Sequence, residues 1–247
     1  MKNLPVLLCL LIPALLGLPL GAEEMTAETV MAKHLEALGG AEGLQGVKSL
    51  KITGVFNFNG IDSPFTLYKQ RPNLYRMEVE TSRGTSITAF DGSEGWTNAT
   101  RSGEVEAMDA DRAARLLEEE ADFDGPLLGA AEKGHGVELI GVETVDAGEA
   151  YHLRLTLKSG RVQEWWVSAS DFTVAQKITT AVHRRAGEYQ RIWYLMEYQR
   201  TEGALLPHYL EQEDRQHVRA RTVEEVEVNP EIDPALFQRP AAESAEN

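Results

Sequence analysis

From Ser49 onward the chain alternates between apolar and polar positions. Leu50, Ile52, Phe56 and Phe58 share one side, with Gly54 between them, the period-two signature of a strand with one buried face. The same signal returns in "FTLYKQ", "LYRMEVE", "TSITAF", "GVELIGVETVD", "EAYHLRLTLKSGRVQEWWVSA", "FTVAQKITTAVH", "YQRIWYLMEYQRTEGALLPHYLEQED" and "RARTVEEVEVN". In the second of these, Tyr75, Met77 and Val79 oppose Arg76, Glu78 and Glu80; further on, Tyr151, Leu153, Leu155 and Leu157 alternate with His152, Arg154 and Thr156. Asp91-Gly92 and Ser159-Gly160 supply hairpin turns. Hairpins this closely spaced predict a mainly antiparallel sheet that curls or closes.

Two stretches carry a helical period instead. "TAETVMAKHLEALGG" has Thr26 as an N-cap, Glu28 in the first turn, Met31, Leu35 and Leu38 on one face, and a Gly39-Gly40 stop. A short helical turn at "AEGLQGV" follows, returning Leu44 and Val47 to the core. In "DADRAARLLEEEADF", Asp109 or Asp111 caps a helix whose stripe of Ala113, Leu116 and Leu117 is narrow. A helix burying so little is expected to be held loosely. Its acids lack the glycine and spacing of a calcium loop and read as a solvated face.

The first residues stand apart from this pattern. Lys2 precedes an apolar run from Leu4 to Leu20, then Gly21 and Ala22, which reads as a secretory signal over residues 1–22, cleaved near Ala22. A retained membrane span is the alternative, opposed by Pro5, Pro13 and Pro19. The sole cysteine, Cys9, lies in this segment, so residues 23–247 form a cysteine-free chain that must rely on core burial. Their length suits one β domain ending in a frayed tail, "PAAESAEN". The formal net charge of −15 excludes nucleic acid as a partner and disfavours an anionic membrane surface.

Motifs for chemistry are sparse. The histidines at 34, 135, 152, 183, 208 and 217 show no helical zinc-protease spacing. Nucleophile elbow, cysteine nucleophile and glycine-rich phosphate loop are all missing. Neither a catalytic residue, a cofactor nor a metal site is assigned. Asn98-Ala99-Thr100 matches a glycosylation acceptor of no functional weight.

Against this background the order of several motifs becomes informative. "GGAEGLQGVKSLKITG", "KQRPNLYRMEVE", "AFDGSEGW", the central helix, "GALLPHYLE" and "EVEVNPEIDPALFQRP" follow one another. The chain thereby resembles the outer-membrane lipoprotein-sorting, LolA-like superfamily of periplasmic lipoprotein and lipid carriers. That resemblance implies a curved, incomplete antiparallel β-barrel covered by lid helices, with an apolar concave face that holds acyl chains. It assigns Arg71 to a bond with lid-helix backbone, Asp91, Gly92 and Trp96 to the hairpin, and Phe237 and Pro240 to the end of the last strand. Arg76 and Met77 depart from the carrier pattern, and the carboxyl end holds more sheet than the compact carriers.

Cavity and lid residues expected on this basis are Arg71, Tyr75, Met77, Val79, Trp96, Leu116 and Leu117. For Tyr75, Met77 and Val79 the buried face is either the cavity or outer packing. Arg71 is either a latch or a solvated edge residue. Trp96, Trp165, Trp166 and Trp193 suit ordinary packing as well as ligand contact. The resemblance implies a non-enzymatic, monomeric periplasmic protein whose partners are a lipid or an acylated lipoprotein, an inner-membrane donor and an outer-membrane acceptor. A periplasmic envelope-stress sensor of the same fold is the alternative, and an envelope hydrolase ranks third.

Overall fold

A computed structural model describes residues 25–98, 103–183 and 187–241. The expected signal, Ala99 and Thr100 of the acceptor tripeptide, and most of the tail lie outside the described residues. No helix among the described residues is long and apolar enough to cross a membrane.

The described residues build one antiparallel sheet of thirteen strands that does not close on itself. In chain order these are β1 (Ser49–Phe58), β2 (Ile61–Gln70), β3 (Leu74–Thr81), β4 (Gly84–Asp91), β5 (Gly95–Asn98), β6 (Val105–Ala107), β7 (Gly136–Val145), β8 (Gly148–Thr156), β9 (Val162–Ser168), β10 (Val174–His183), β11 (Gly187–Thr201), β12 (Ala204–Glu213) and β13 (Val218–Val228). They lie in the order β6-β5-β4-β3-β2-β1-β13-β12-β11-β10-β9-β8-β7. Two meanders therefore meet where β1 pairs with β13. Register shifts at Thr53/Gly54, Val174/Gln176 and Leu139/Gly141 add the local twist that curls a large sheet. At Gly54 a Cβ would sit 2.0 Å from the Thr222 carbonyl oxygen, so only glycine permits β1 and β13 to approach so closely.

The three α-helices of the described residues lie on the concave face. α1 (Ala27–Ala37) is capped by Thr26, whose hydroxyl accepts from Thr29 N–H, and buries Ala27, Val30 and His34. These pack with Leu153, Leu155, Trp165, Val167 and Val174. The buried stripe is offset from the expected face: Met31, Leu35 and Leu38 flank it and line a pocket of about 130 Å³. α2 (Gly40–Gly46) delivers Val47 to a cluster with Leu50 and Ala204. α3 (Ala110–Leu116) starts at Asp109, whose carboxylate accepts from Arg112 N–H, and continues as a π-helical turn, Leu117–Ala121.

The carboxyl end returns along the convex face. A 3₁₀ turn, Pro234–Phe237, buries Phe237 completely. Trp96 Nε1–H donates to the Phe237 carbonyl at 2.8 Å, and Arg76 donates to the Leu236 carbonyl at 2.8 Å.

Candidate functional site

Between β1–β4 and β11–β13 the concave face encloses a cavity of about 860 Å³, lined among others by Phe56, Phe58, Ile61, Met77, Val79, Thr88, Trp193, Leu210 and Arg221, with Glu120 of the π turn at its roof. Register explains the lining. Val79 faces Phe65 and Ser86, Met77 faces Leu67 and Thr88, and Phe56 faces Arg221, so strict alternation turns one side chain in two toward the interior. The rim is open and mixed: Phe58 and Ile61, the latter 68% exposed, stand beside Asp62, Glu80, Thr81, Ser82 and Arg83.

α3 and the π turn cover this cavity with two kinds of contact. Ala113, Ala121, Leu116 and Leu117 pack on Phe65, Leu67, Tyr75, Phe90, Met77 and Val79. Around them, each glutamate of the turn reaches a different arginine, Arg161 in the β8–β9 turn and Arg191 and Arg221 on strands. Glu118 accepts from Arg161 at 2.7 Å, Glu119 from Arg191 at 2.8 Å and Glu120 from Arg221 at 3.0 Å. The solvated face expected for these acids is thereby overturned: the Glu119 side chain is 9% exposed. With so narrow an apolar stripe, the segment docks by pairing carboxylates with arginines on the sheet, a pattern that helical periodicity does not reveal.

Burial and charge oppose each other here. Desolvation, outweighing the attraction of Arg191 and Lys177, raises the Glu119 carboxyl above its ordinary range. Desolvation also acts on Glu120, but Arg221 and Lys177 overcome it and hold that carboxyl low. Tyr75 beneath them is pushed up, chiefly by burial and then by the charge of Glu120.

The expected site residues divide into three groups. Met77 and Val79 line the cavity, Tyr75 is buried beside them with its hydroxyl 3.5 Å from Met77 Sδ, and Leu116 and Leu117 cover them. Of the two faces left open by the sequence, β3 therefore turns these three toward the cavity. Arg71 stands at its edge, in the turn between β2 and β3. It donates to the Val47 and Leu44 carbonyls at 2.7 Å each and to Asp124 at 2.6 Å, and its guanidinium lies 4.5 Å from the Phe123 ring centre. The backbone it holds belongs to the end of α2, because Arg71 N–H already ties its own turn to Lys48; Asp124 and Phe123 connect it to the segment after the lid. Trp96 joins neither group. On β5, Gly95 faces Phe90 and Thr97 faces Thr88 on the concave side, so period two turns Trp96 outward to Phe237 and the Arg76 guanidinium, 5.4 Å from its ring.

Asp91 performs the hairpin role, accepting from Ser93 and Glu94 N–H at 2.9 and 2.8 Å, with Gly92 at φ 98°. Asn98 spends its amide on β4, receiving Ile87 N–H at 2.6 Å and donating to the Thr85 carbonyl at 2.8 Å. Among the described residues no cluster of three or more histidine, cysteine or acidic side chains could hold a metal ion. Trp193, for which ligand contact was one of two expectations, lines the cavity, whereas Phe56, Phe58, Ile61, Glu120 and Arg221 are among the lining residues that sequence reasoning did not single out. For Arg221 a signal existed: in "RARTV", Arg219 and Arg221 sit in phase with Val223, at positions facing the interior.

Comparison with solved structures completes the picture. A LolA superfamily protein from Nitrosomonas europaea superposes with a TM-score of 0.59 at 13% identity, over 87% of this chain and 98% of that one. The chain has a LolA-like fold. A DUF1329 family protein from Desulfovibrio piger matches with a TM-score of 0.61 at 10% identity, over 86% of this chain and 97% of that one. A domain named as an outer membrane lipoprotein-sorting protein, from Vibrio parahaemolyticus, matches with a TM-score of 0.56 at 10% identity, over 85% and 97% of the two chains. No protein-family model matches the chain, and no match to a curated protein was found.

Proposed function

We propose that this chain is a periplasmic carrier or binding protein, which holds the acyl chain of a lipid or lipoprotein in the cavity beneath α3. The observation that carries this reading is a cavity of about 860 Å³ whose wall holds Phe56, Met77, Val79 and Trp193 and whose open rim exposes Phe58 and Ile61 among polar residues, within the size range of small-ligand sites. Each methylene it shelters from water contributes about 0.8 kcal/mol, so a long chain is retained without any cofactor. The lipoprotein-sorting name of the Vibrio structure agrees with such cargo. Export by a leader over residues 1–22, removed near Ala22, belongs with the same role. So does one monomeric domain over 23–247, passing cargo from an inner-membrane donor to an outer-membrane acceptor by binding rather than turnover.

The test is extraction of the gently purified protein, with mass spectrometry of what it retains. An acyl lipid near one per chain is the expected result. An empty protein that also takes up no fluorescent fatty acid would overturn the proposal.

A further inference from the structure

Beside the cavity, whose rim balances Asp62 and Glu80 against Arg83 and Arg219, the concave face of this acidic protein carries four more cations, of which Arg221 lines the cavity itself. Lys69, Lys177, Arg191 and Arg221 all point to the concave face: Lys177 faces Trp193, Arg221 faces Phe56 and Leu210, Lys69 faces Leu50 and Tyr75, and Arg191 faces Thr179. Against these four charges stand two carboxylates, Glu119 on Arg191 and Glu120 on Arg221. Lys69 reaches only the Asp122 carbonyl, at 3.3 Å, and the Phe123 ring. Lys177 lies 4.6 Å from the Trp193 ring centre and 5.5 Å from that of Trp165. Among the described residues no carboxylate comes within ion-pair distance of it.

Two buried donors add to the imbalance. Trp193 Nε1–H and Thr179 Oγ1–H face the same side, and neither has a partner among the described residues. Each such group is costly to leave unsatisfied, and so is a half-buried ammonium without an anion. Desolvation, outweighing the attraction of Glu120 and Asp122, brings Lys69 down to about 8, and it lowers Lys177 as well. Lys69 therefore remains largely charged at neutral pH.

The glutamates belong to the lid, whereas the cations belong to the sheet. Opening the lid therefore withdraws the two carboxylates paired with Arg191 and Arg221 and leaves four cations on the concave face. A phosphate monoester carries about −2 and three acceptor oxygens, which replaces both carboxylates and offers further acceptors to Lys177 and to the unpaired donors. We propose that the ligand is a phosphate-headed amphiphile: its head displaces Glu119 from Arg191 and Glu120 from Arg221 and also meets Lys177, and its acyl chain lies along Phe56, Phe58, Ile61, Met77 and Val79. In the closed state the lid glutamates act as a built-in stand-in for that head. This proposal rests on the carrier reading above and names its ligand class.

The experiment displaces a fluorescent fatty acid with three amphiphiles that share one oleoyl chain. Oleoyl lysophosphatidic acid is expected to bind about tenfold more tightly than monooleoylglycerol, the equivalent of roughly 1.4 kcal/mol, with oleate between them. Lys177→Met should reduce that ratio severalfold, by weakening the phosphate lipid more than the neutral one. Glu119→Gln with Glu120→Gln should improve binding of the phosphate lipid more than of the neutral one. Equal affinities of wild type for all three would overturn the headgroup assignment and leave the carrier reading standing. Failure of all three to bind would sink the carrier reading itself. Inorganic phosphate displacing the probe at the same concentration as the phosphate lipid would overturn the amphiphile in favour of a simple anion site. The headgroup ratio on wild type decides the matter even if a variant does not fold.

Discussion

One sheet carries two covers of different kind. Over β7–β10, α1 lays Ala27 and Val30 onto Leu153, Leu155, Trp165 and Val167, all at most 8% exposed, and the space is filled. Over β1–β4 and β11–β13, α3 and the π turn rest on partly buried leucines and on carboxylate–arginine pairs, and a cavity of about 860 Å³ remains. An apolar cover can be replaced only by water, at the cost of re-exposing its area. An ionic cover can be exchanged for another anion. The difference teaches that the narrow stripe of α3 is no packing defect, because it leaves the attachment to groups that a ligand can replace.

The largest expected effect breaks the closed half. Leu153→Ala should cost about 2–5 kcal/mol in urea unfolding, the range for a buried leucine that leaves a cavity. Met77→Ala, at a wall that already borders empty space, should cost about 1 kcal/mol or less. Equal losses would erase the distinction between the halves.

Next in size is the lid. Glu119→Gln with Glu120→Gln should speed amide hydrogen exchange across residues 110–121 about tenfold, the equivalent of roughly 1.4 kcal/mol, without altering α1. Acceleration in both helices together would mean that they open as one unit.

A smaller effect comes from pH. His34, buried under α1 with Nδ1 2.7 Å from the Phe172 carbonyl, is lowered by desolvation, which exceeds the opposing pull of that carbonyl. Its folded form thus prefers to be neutral. The stability this contributes is complete above the unfolded value of about 6.5 and is lost as the pH falls below it. Urea midpoints between pH 7.5 and 5 should decline, and His34→Gln should flatten that decline; an unchanged slope would remove His34 from the account.

Smallest is Arg71→Leu. Losing its bonds to Leu44, Val47 and Asp124 should alter the release rate of a bound fatty acid a few-fold, by the order of one hydrogen-bonded contact, at unchanged circular dichroism. Unchanged release would make Arg71 a brace for α2 alone.

Much of the sheet was legible because period two is a local property. "LYRMEVE" became β3 with Tyr75, Met77 and Val79 on one face, and Asp91-Gly92 became the β4–β5 turn. What alternation cannot state is which face is concave, since that depends on strands far apart in sequence. Trp96 was expected near the ligand for this reason and lies on the convex side, against Phe237. Glu118 to Glu120 were misread for a related one: their partners are 43, 72 and 101 residues away, and a run of acids looks solvated until those arginines are placed opposite. The candidate site was therefore legible on its apolar wall and illegible in its charges.

Trp193 provides the most direct measurement of the central claim. It lines the cavity and carries an unpaired buried Nε1–H, so its fluorescence should report an acyl chain entering beneath the lid. Titration with oleate should give a saturable change at one ligand per chain, absent in Trp193→Phe and weakened by Met77→Asp. A fluorescence response that never saturates, or one that survives unchanged in Trp193→Phe, would contradict an acyl-binding cavity at this place.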